Sequence, residues 1–190
     1  WPKWKHYHWL LQEFYRDEKG ISFTLEEPWS FWELEELNLV VAGLNSTMAE
    51  SHLPETHYGS VGERQLRWFA ERLEQAKKRG WFRVGVVHHN VERGAVADDE
   101  NLRDADDLKG RLGSLLNLLL HGHTHNSKVA WLGPAVSVVS TGSAALKAEA
   151  RPAEVPNQTN TKRFACGPTG SNAGLGATTA SRSVGSATPA

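Results

Sequence analysis

The chain has 190 residues, enough for one domain with or without a tail, and 39% of them are hydrophobic. Its 21 lysines and arginines nearly balance its 22 aspartates and glutamates, so no strong field attracts nucleic acid or an anionic membrane. The single cysteine excludes an intramolecular disulfide and a cysteine-based zinc cluster, and no run of about 18 apolar residues is present to span a membrane. We therefore expect a cytoplasmic protein without a membrane partner.

The first quarter of the chain predicts one helix and a group of strands. Apolar residues at spacings of three and four predict a helix over residues 3–17. Short strands are predicted over 21–25 and 29–34, on either side of a turn. A continuous apolar run within 37–44 predicts a strand that is covered on both faces, as in a parallel sheet.

The middle of the chain continues the alternation of strands and helices. Ser60 and Glu63 have the spacing of a capping box, and an apolar stripe follows them, which predicts a helix over 61–79. Residues 81–87 then predict a strand. The acidic segment 90–107 is typical of a long solvated loop.

The last part of the chain predicts a domain end followed by a tail. A helix is predicted near 104–112, followed by strands over 115–120, 129–132 and 135–139. This order indicates an α/β domain over residues 1–150. Residues 151–190 have low complexity and too little apolar surface to offset the entropy of ordering, so we predict a disordered tail.

Five of the nine histidines follow two of the predicted strands. His88 and His89 come directly after one apolar run, and His121, His123 and His125 end another at alternate positions. In an extended chain, side chains at positions i and i+2 share a face, so the last three imidazoles are expected to point the same way. Imidazole binds manganese, iron, zinc, nickel and cobalt better than magnesium or calcium, which indicates a transition-metal site.

Two of these segments resemble motifs of the calcineurin-like metallophosphoesterases. They are Val86-Val87-His88-His89 and Gly122-His123-Thr124-His125, and each lies at the end of a predicted strand. A third segment, Gly43-Leu44-Asn45-Ser46-Thr47, is similar to a strand-to-loop stretch of some members. The resemblance covers roughly residues 29–146 and is to the C-terminal half of the family's domain. It implies a two-sheet α/β sandwich flanked by helices, two divalent metal ions (manganese, iron, zinc, nickel or cobalt) and hydrolysis of phosphate esters.

The resemblance assigns metal ligands residue by residue. It implies that His88 and His123 bind one ion and that His125 binds the other. His89 and His121 have no ligand counterpart: His89 is expected to orient the ligands or face the substrate, and His121 to pack beside them or orient them.

Two asparagines complete the candidate site. Asn90 stands where many relatives have proline and is placed with the residues that support the ligands or face the substrate. Asn45 is a candidate for the mouth of the site, and a role in a turn with Ser46 and Thr47 is an equal alternative.

Three upstream motifs of the family do not occur in this sequence: Asp-x-His, Gly-Asp-x-x-Asp and Gly-Asn-His followed by an acid. The catalytic histidine belongs to the last of these, so no catalytic residue is assigned here. Asp98 and Asp99 are the acids that would have to substitute in the donor set, although a solvated loop is the simpler interpretation. We expect a truncated part of a phosphoester hydrolase, inactive alone, whose intact form acts on a small phosphate ester rather than on nucleic acid. The alternatives are a non-catalytic metal-binding or interaction remnant and a mononuclear zinc hydrolase.

Overall fold

Strands and helices alternate along the protein, as the sequence predicts for an α/β fold. The computed structural model describes residues 2–16, 23–51, 53, 56, 58–92, 101–133 and 135–142, and the backbone of two strands at 158–164 and 177–183. The helices are α1 (Lys5–Phe14), α2 (Glu63–Lys78) and α3 (Ala105–Leu112). The strands are β1 (Ser30–Leu34), β2 (Leu39–Gly43), β3 (Phe82–Val87), β4 (Leu118–His121), β5 (Lys128–Leu132), β6 (Val136–Ser140), β7 (Gln158–Phe164) and β8 (Ala177–Ser183).

The first six strands form one mixed sheet in the order β1-β2-β3-β4-β6-β5. Strands β2, β3, β4 and β6 are parallel, and the edge strands β1 and β5 are antiparallel to their neighbours. The carboxyl ends of the parallel strands therefore meet along one edge of the sheet, which is where open α/β sheets place their ligands. Pairing continues past β3 and β4, because the Gly122 N–H donates to the His88 carbonyl oxygen at 3.1 Å.

The main core lies between the sheet and helices α2 and α3. The apolar stripe of α2 is fully buried there, at Leu66, Phe69 and Leu73. Each such side chain contributes about 1.5–3 kcal/mol by leaving water. Further members from α3 and from the sheet are Leu108, Leu112, Val40, Leu119 and Val138. This packing holds the strands that carry the histidines in a fixed register.

The start of α2 differs from the predicted capping box. Ser60 makes no cap, and Gly62 occupies the N-cap position with a φ of +84°. The Asp104 carboxylate, from just before α3, accepts the N–H groups of Val61 at 3.0 Å and Gly62 at 2.7 Å and the Ser60 hydroxyl at 3.2 Å. A carboxylate is the better cap because its charge also interacts with the positive end of the helix dipole. The capping-box prediction is therefore wrong in its residues, although the helix itself is confirmed.

Of the strand predicted over 21–25, the described residues 23–25 are irregular and form no strand. Residues 21–22 lie outside the described part. The described residues form one six-stranded sheet and a separate two-stranded pair, β7 with β8, rather than the two facing sheets of a sandwich. These two segments of the tail contain β-branched threonines, which favour extended chain, and the predicted disorder of residues 151–190 stays a prediction. The predicted boundary at residue 150 lies outside the described residues. None of the helices described here has the length and apolar character needed to cross a membrane.

Candidate functional site

His88 and His123 are in direct contact at the carboxyl edge of the sheet. His88 follows β3, and His123 lies in the loop after β4. The His88 Nε2 and His123 Nδ1 atoms are 2.9 Å apart, and the ring centroids are 4.6 Å apart at 68°. One of the two nitrogens carries a hydrogen and donates a hydrogen bond to the other, and the tautomers of the two rings decide which one is the donor. The parallel pairing of β3 and β4 thus brings together two imidazoles that are 35 residues apart in the sequence.

The loop after β4 turns instead of continuing as an extended strand. Strand β4 ends at His121, and the Thr124 N–H donates to the Gly122 oxygen at 2.9 Å. His123 and His125 both adopt the left-handed conformation, with φ of +67° and +52°. That conformation costs about 1–2 kcal/mol for each residue with a side chain, and such strain often marks a functional site. The expectation that alternation along an extended chain aligns the three imidazoles is therefore wrong, since this turn positions His123.

Electrostatics favour a neutral His88. Burial lowers the pKa of His88 below its ordinary value, and the neighbouring His123 lowers it further. His125, which is half-buried, acts in the same direction, whereas Glu50 opposes these effects. A neutral imidazole is the form that binds a metal ion, so protons compete weakly at His88.

His89 lies beneath the pair and does not face solvent. Its side chain is 2% exposed, and its Nδ1 is 2.8 Å from the Ser46 hydroxyl oxygen. Its ring centroid is 5.2 Å from that of His88 and 5.0 Å from that of His123. Gly59 leaves room for this ring, since a Cβ at Gly59 would lie 2.4 Å from His89 Cγ. His89 therefore supports the exposed His88 and the half-buried His123 from below.

His121 and Asn90 are also buried and bonded within the protein. The His121 Nδ1 is 3.1 Å from the Gly122 oxygen, and burial lowers the pKa of His121. The Asn90 amide donates to the Glu92 carbonyl at 2.6 Å and to the Asn101 side chain at 3.0 Å, and its oxygen accepts the Glu92 N–H at 3.1 Å. Asn90 thus shapes the loop after β3 rather than presenting a free amide.

Asn45 forms a turn, which is the alternative role that its neighbours suggest. Its side-chain oxygen accepts the N–H and the hydroxyl of Thr47 at 3.0 and 2.9 Å, and its Nδ2 donates to the Pro28 oxygen at 2.8 Å. Its backbone N–H donates to the Gln65 side chain at 2.6 Å. This network joins the loop after β2 to the start of β1 and to α2.

The side chains in the described part of the protein fit a portion of a metal centre. Two imidazole nitrogens face each other, but no group of three or more histidines, cysteines, aspartates or glutamates with ligand geometry occurs among the described residues. A tetrahedral zinc ion with ligands at about 2.0–2.1 Å holds two nitrogens roughly 3.3 Å apart, so the 2.9 Å contact needs only a small rotation of the rings. Asp98 and Asp99 lie outside the described residues. The described residues therefore provide two nitrogen ligands for one shared ion and do not complete a dinuclear centre.

A cavity of about 750 Å³ lies beside this site, between α1, β1 and the carboxyl edge of the sheet. His88 and His121 form part of its wall, and aromatic side chains of residues 4–32 form much of the rest. No spacing or motif in the sequence predicts this cavity. The available signal was the concentration of tryptophan and tyrosine in the first 32 residues.

Comparisons with known proteins support the fold. Neither a family model nor a curated protein sequence matches this chain. Among solved structures, the chain is similar to a dimetal phosphatase from Danio rerio, with a TM-score of 0.51 and 14% identity. The match covers 70% of this chain and 55% of the other, so this chain spans about half the length of that phosphatase. At this identity the similarity shows the fold alone, an α/β fold with a mixed sheet.

Proposed function

We propose that this chain carries the histidine-bearing part of the active site of a metal-dependent phosphoester hydrolase related to the calcineurin-like metallophosphoesterases. The observation that carries the proposal is the 2.9 Å contact between His88 and His123 at the ends of adjacent parallel strands. His88 and His123 would hold one divalent ion and His125 a second, which could be manganese, iron, zinc, nickel or cobalt. Bound ions would neutralise the phosphoryl oxygens and make water acidic enough to attack phosphorus near neutral pH.

The residues of this chain would position the ligands and keep them neutral. The hydrogen bond between His89 and Ser46 holds the ring beneath the pair, and the left-handed turn at His123 directs that ring toward His88. Burial and neighbouring imidazoles keep the pKa of His88 low, so that the neutral ligand form prevails at pH 7. The two imidazoles are therefore positioned, and His88 is neutral, before a cation binds.

The remaining ligands would come from chain that the structure does not describe. A dinuclear site needs a bridging carboxylate and an acid for the leaving group, and no group of three or more possible metal ligands occurs among the described residues to complete such a site. The dimetal phosphatase with a similar fold is nearly twice as long as the matched part of this chain. We propose that the intact enzyme has a second facing sheet which supplies those groups, and that residues 1–190 alone are inactive.

The proposed substrate is a small phosphate ester, and the proposed location is the cytoplasm. A net charge of −1 gives no long-range attraction for the phosphate backbone of a nucleic acid.

The test is calorimetric titration of the chain with Zn²⁺ and Mn²⁺, followed by assay of bis-p-nitrophenyl phosphate hydrolysis. We expect His88→Ala and His123→Ala each to weaken metal binding by at least about 10-fold to 100-fold, the loss that removing a residue that only orients a ligand already produces. His6→Ala is the matched control, because His6 is exposed on α1 and lies outside the site. Equal loss in all three variants, or no binding by the unmodified chain, contradicts the proposal. Robust hydrolysis by residues 1–190 contradicts the proposed need for further ligands.

A non-catalytic metal-binding module is the second candidate, and the lack of a group of three or more possible metal ligands among the described residues favours it. The two candidates differ in the full-length protein, where the module binds metal without turnover. A mononuclear zinc hydrolase would instead turn over substrate with one ion per chain.

A further inference from the structure

The wall of the cavity beside His88 contains a group of aromatic side chains. Six of its lining side chains are tryptophan, tyrosine or phenylalanine: Trp4, Tyr7, Tyr15, Phe23, Trp29 and Trp32. Its volume of about 750 Å³ is within the range of pockets that enclose a small organic molecule. Flat aromatic faces favour a planar or apolar group over a hydrated one.

The α1 side of the cavity is held in place by specific bonds. The Lys3 ammonium group donates to three backbone carbonyls of the loop after β2, those of Thr47 at 2.7 Å, Met48 at 3.1 Å and Glu50 at 2.9 Å. The His8 ring is 3.0 Å from the Phe23 oxygen, and Tyr7 packs edge-on against the Phe23 ring at 5.0 Å. These contacts tie the N-terminal segment to the loop after β2 through Lys3 and to the segment before β1 through His8 and Tyr7.

Two polar groups of the wall have no partner among the described residues. The indole N–H groups of Trp4 and Trp29 are buried, and no described atom accepts a hydrogen bond from either. A buried donor without an acceptor is unfavourable, and an oxygen atom of a ligand would satisfy it.

His88 belongs both to this wall and to the imidazole pair. A molecule in the cavity therefore ends beside the proposed phosphoryl site. We propose that the cavity binds the aromatic group of a phosphate ester whose phosphate lies at His88 and His123. The position of the phosphate rests on the proposed function. The choice of an aromatic group rests on the cavity alone.

The first test measures binding of 1-naphthyl phosphate and methyl phosphate to the full chain in EDTA, which removes the contribution of metal. We expect 1-naphthyl phosphate to bind about 10-fold or more tightly than methyl phosphate, because the aromatic group buries apolar surface. Indole N–H signals in NMR spectra of the same titration should shift for Trp4 and Trp29, as assigned by tryptophan-to-phenylalanine variants. Signals of Trp9 and Trp131, which are exposed and outside the wall, should stay unchanged.

A pair of neighbouring substitutions on α1 gives a matched control. Leu11 lines the cavity, whereas Leu10 is 60% exposed and does not. Leu11→Trp should fill the space and weaken binding of 1-naphthyl phosphate about 10-fold, and Leu10→Trp should leave it within about twofold. The NMR shifts in the unmodified chain keep the proposal testable if Leu11→Trp does not fold.

The outcomes separate this inference from the proposed function. Equal affinity for the two esters, shifts at all tryptophans, or equal effects of the two leucine variants overturns the aromatic site. Tight binding of 1-naphthyl phosphate with no metal binding at His88 and His123 supports the aromatic site and contradicts the metal-dependent function.

Discussion

The contact between Gly59 and His89 makes a quantitative prediction about how the fold supports the site. A Cβ at position 59 would lie 2.4 Å from His89 Cγ and 2.7 Å from His89 Cβ, distances that require the ring or the backbone to move. The φ angle of Gly59 is outside the left-handed region, so alanine is compatible with the backbone itself. The Gly59→Ala change therefore tests the steric contact between position 59 and His89.

The magnitude follows from two opposing terms. Overpacking in a rigid interior costs about 1–3 kcal/mol. Replacing glycine by alanine at a compatible position stabilises the protein by about 0.4–1 kcal/mol, because the unfolded chain has fewer conformations. We expect Gly59→Ala to lower the free energy of unfolding by about 1–2 kcal/mol. In a His89→Ala background the contacts with the ring disappear and only the 2.7 Å contact with Cβ remains, so the same change should cost about 1 kcal/mol less than in the unmodified protein. The coupling between the two positions should therefore be about 1 kcal/mol.

Urea denaturation of the four proteins in this double-mutant cycle, followed by tryptophan fluorescence, measures the coupling. Gly110→Ala is the control, because no atom lies within 4 Å of its added Cβ and it lies within α3. That change should stabilise the protein by about 0.5–1 kcal/mol. The reasoning is refuted if Gly59→Ala destabilises the His89→Ala protein as much as the unmodified one.

Two further predictions concern the helix cap and the two histidines with lowered pKa values, His88 and His121. Asp104→Ala should lower the free energy of unfolding, measured by chemical denaturation, by about 1–3 kcal/mol, because two N–H groups and a hydroxyl lose their acceptor. The control is Asp107→Ala at an exposed position, which should change the free energy of unfolding by less than about 0.5 kcal/mol. Equal effects of the two changes would contradict the capping role. Stability should fall as the pH drops from about 7.5 to about 5, because the lowered pKa values of His88 and His121 make the unfolded chain bind more protons than the folded chain. His121→Gln should reduce the slope of the free energy of unfolding against pH, and an unchanged slope would assign the dependence to other groups.

The sequence predicts those parts of the fold that depend on local pattern. Continuous apolar runs correctly predict β2, β3 and β4, and the stripe of α2 predicts the helix that covers them. The contact of His88 with His123 follows from their positions after two neighbouring strands, which a parallel sheet brings to the same edge.

Features that depend on distant parts of the chain were not predicted. The Asp104 cap is more than 40 residues from the N–H groups that it accepts, and no local spacing indicates such a pairing. The aromatic cavity needs α1, β1 and the ends of β2 to β4 to be assembled before it exists. The turn that holds His123 depends on left-handed φ angles, whereas the alternating histidines favour extended chain in the sequence.

The most direct test of the shared cation site is NMR observation of the imidazole ring nitrogens of His88 and His123 during addition of Zn²⁺. The structure predicts that His88 Nε2 and His123 Nδ1 are hydrogen-bonded before metal is added, and that both signals change together at the same ratio of metal to protein. Signals of the exposed His6 ring should remain unchanged at that ratio. A response at only one of the two nitrogens, or at neither, would contradict a cation held between β3 and β4.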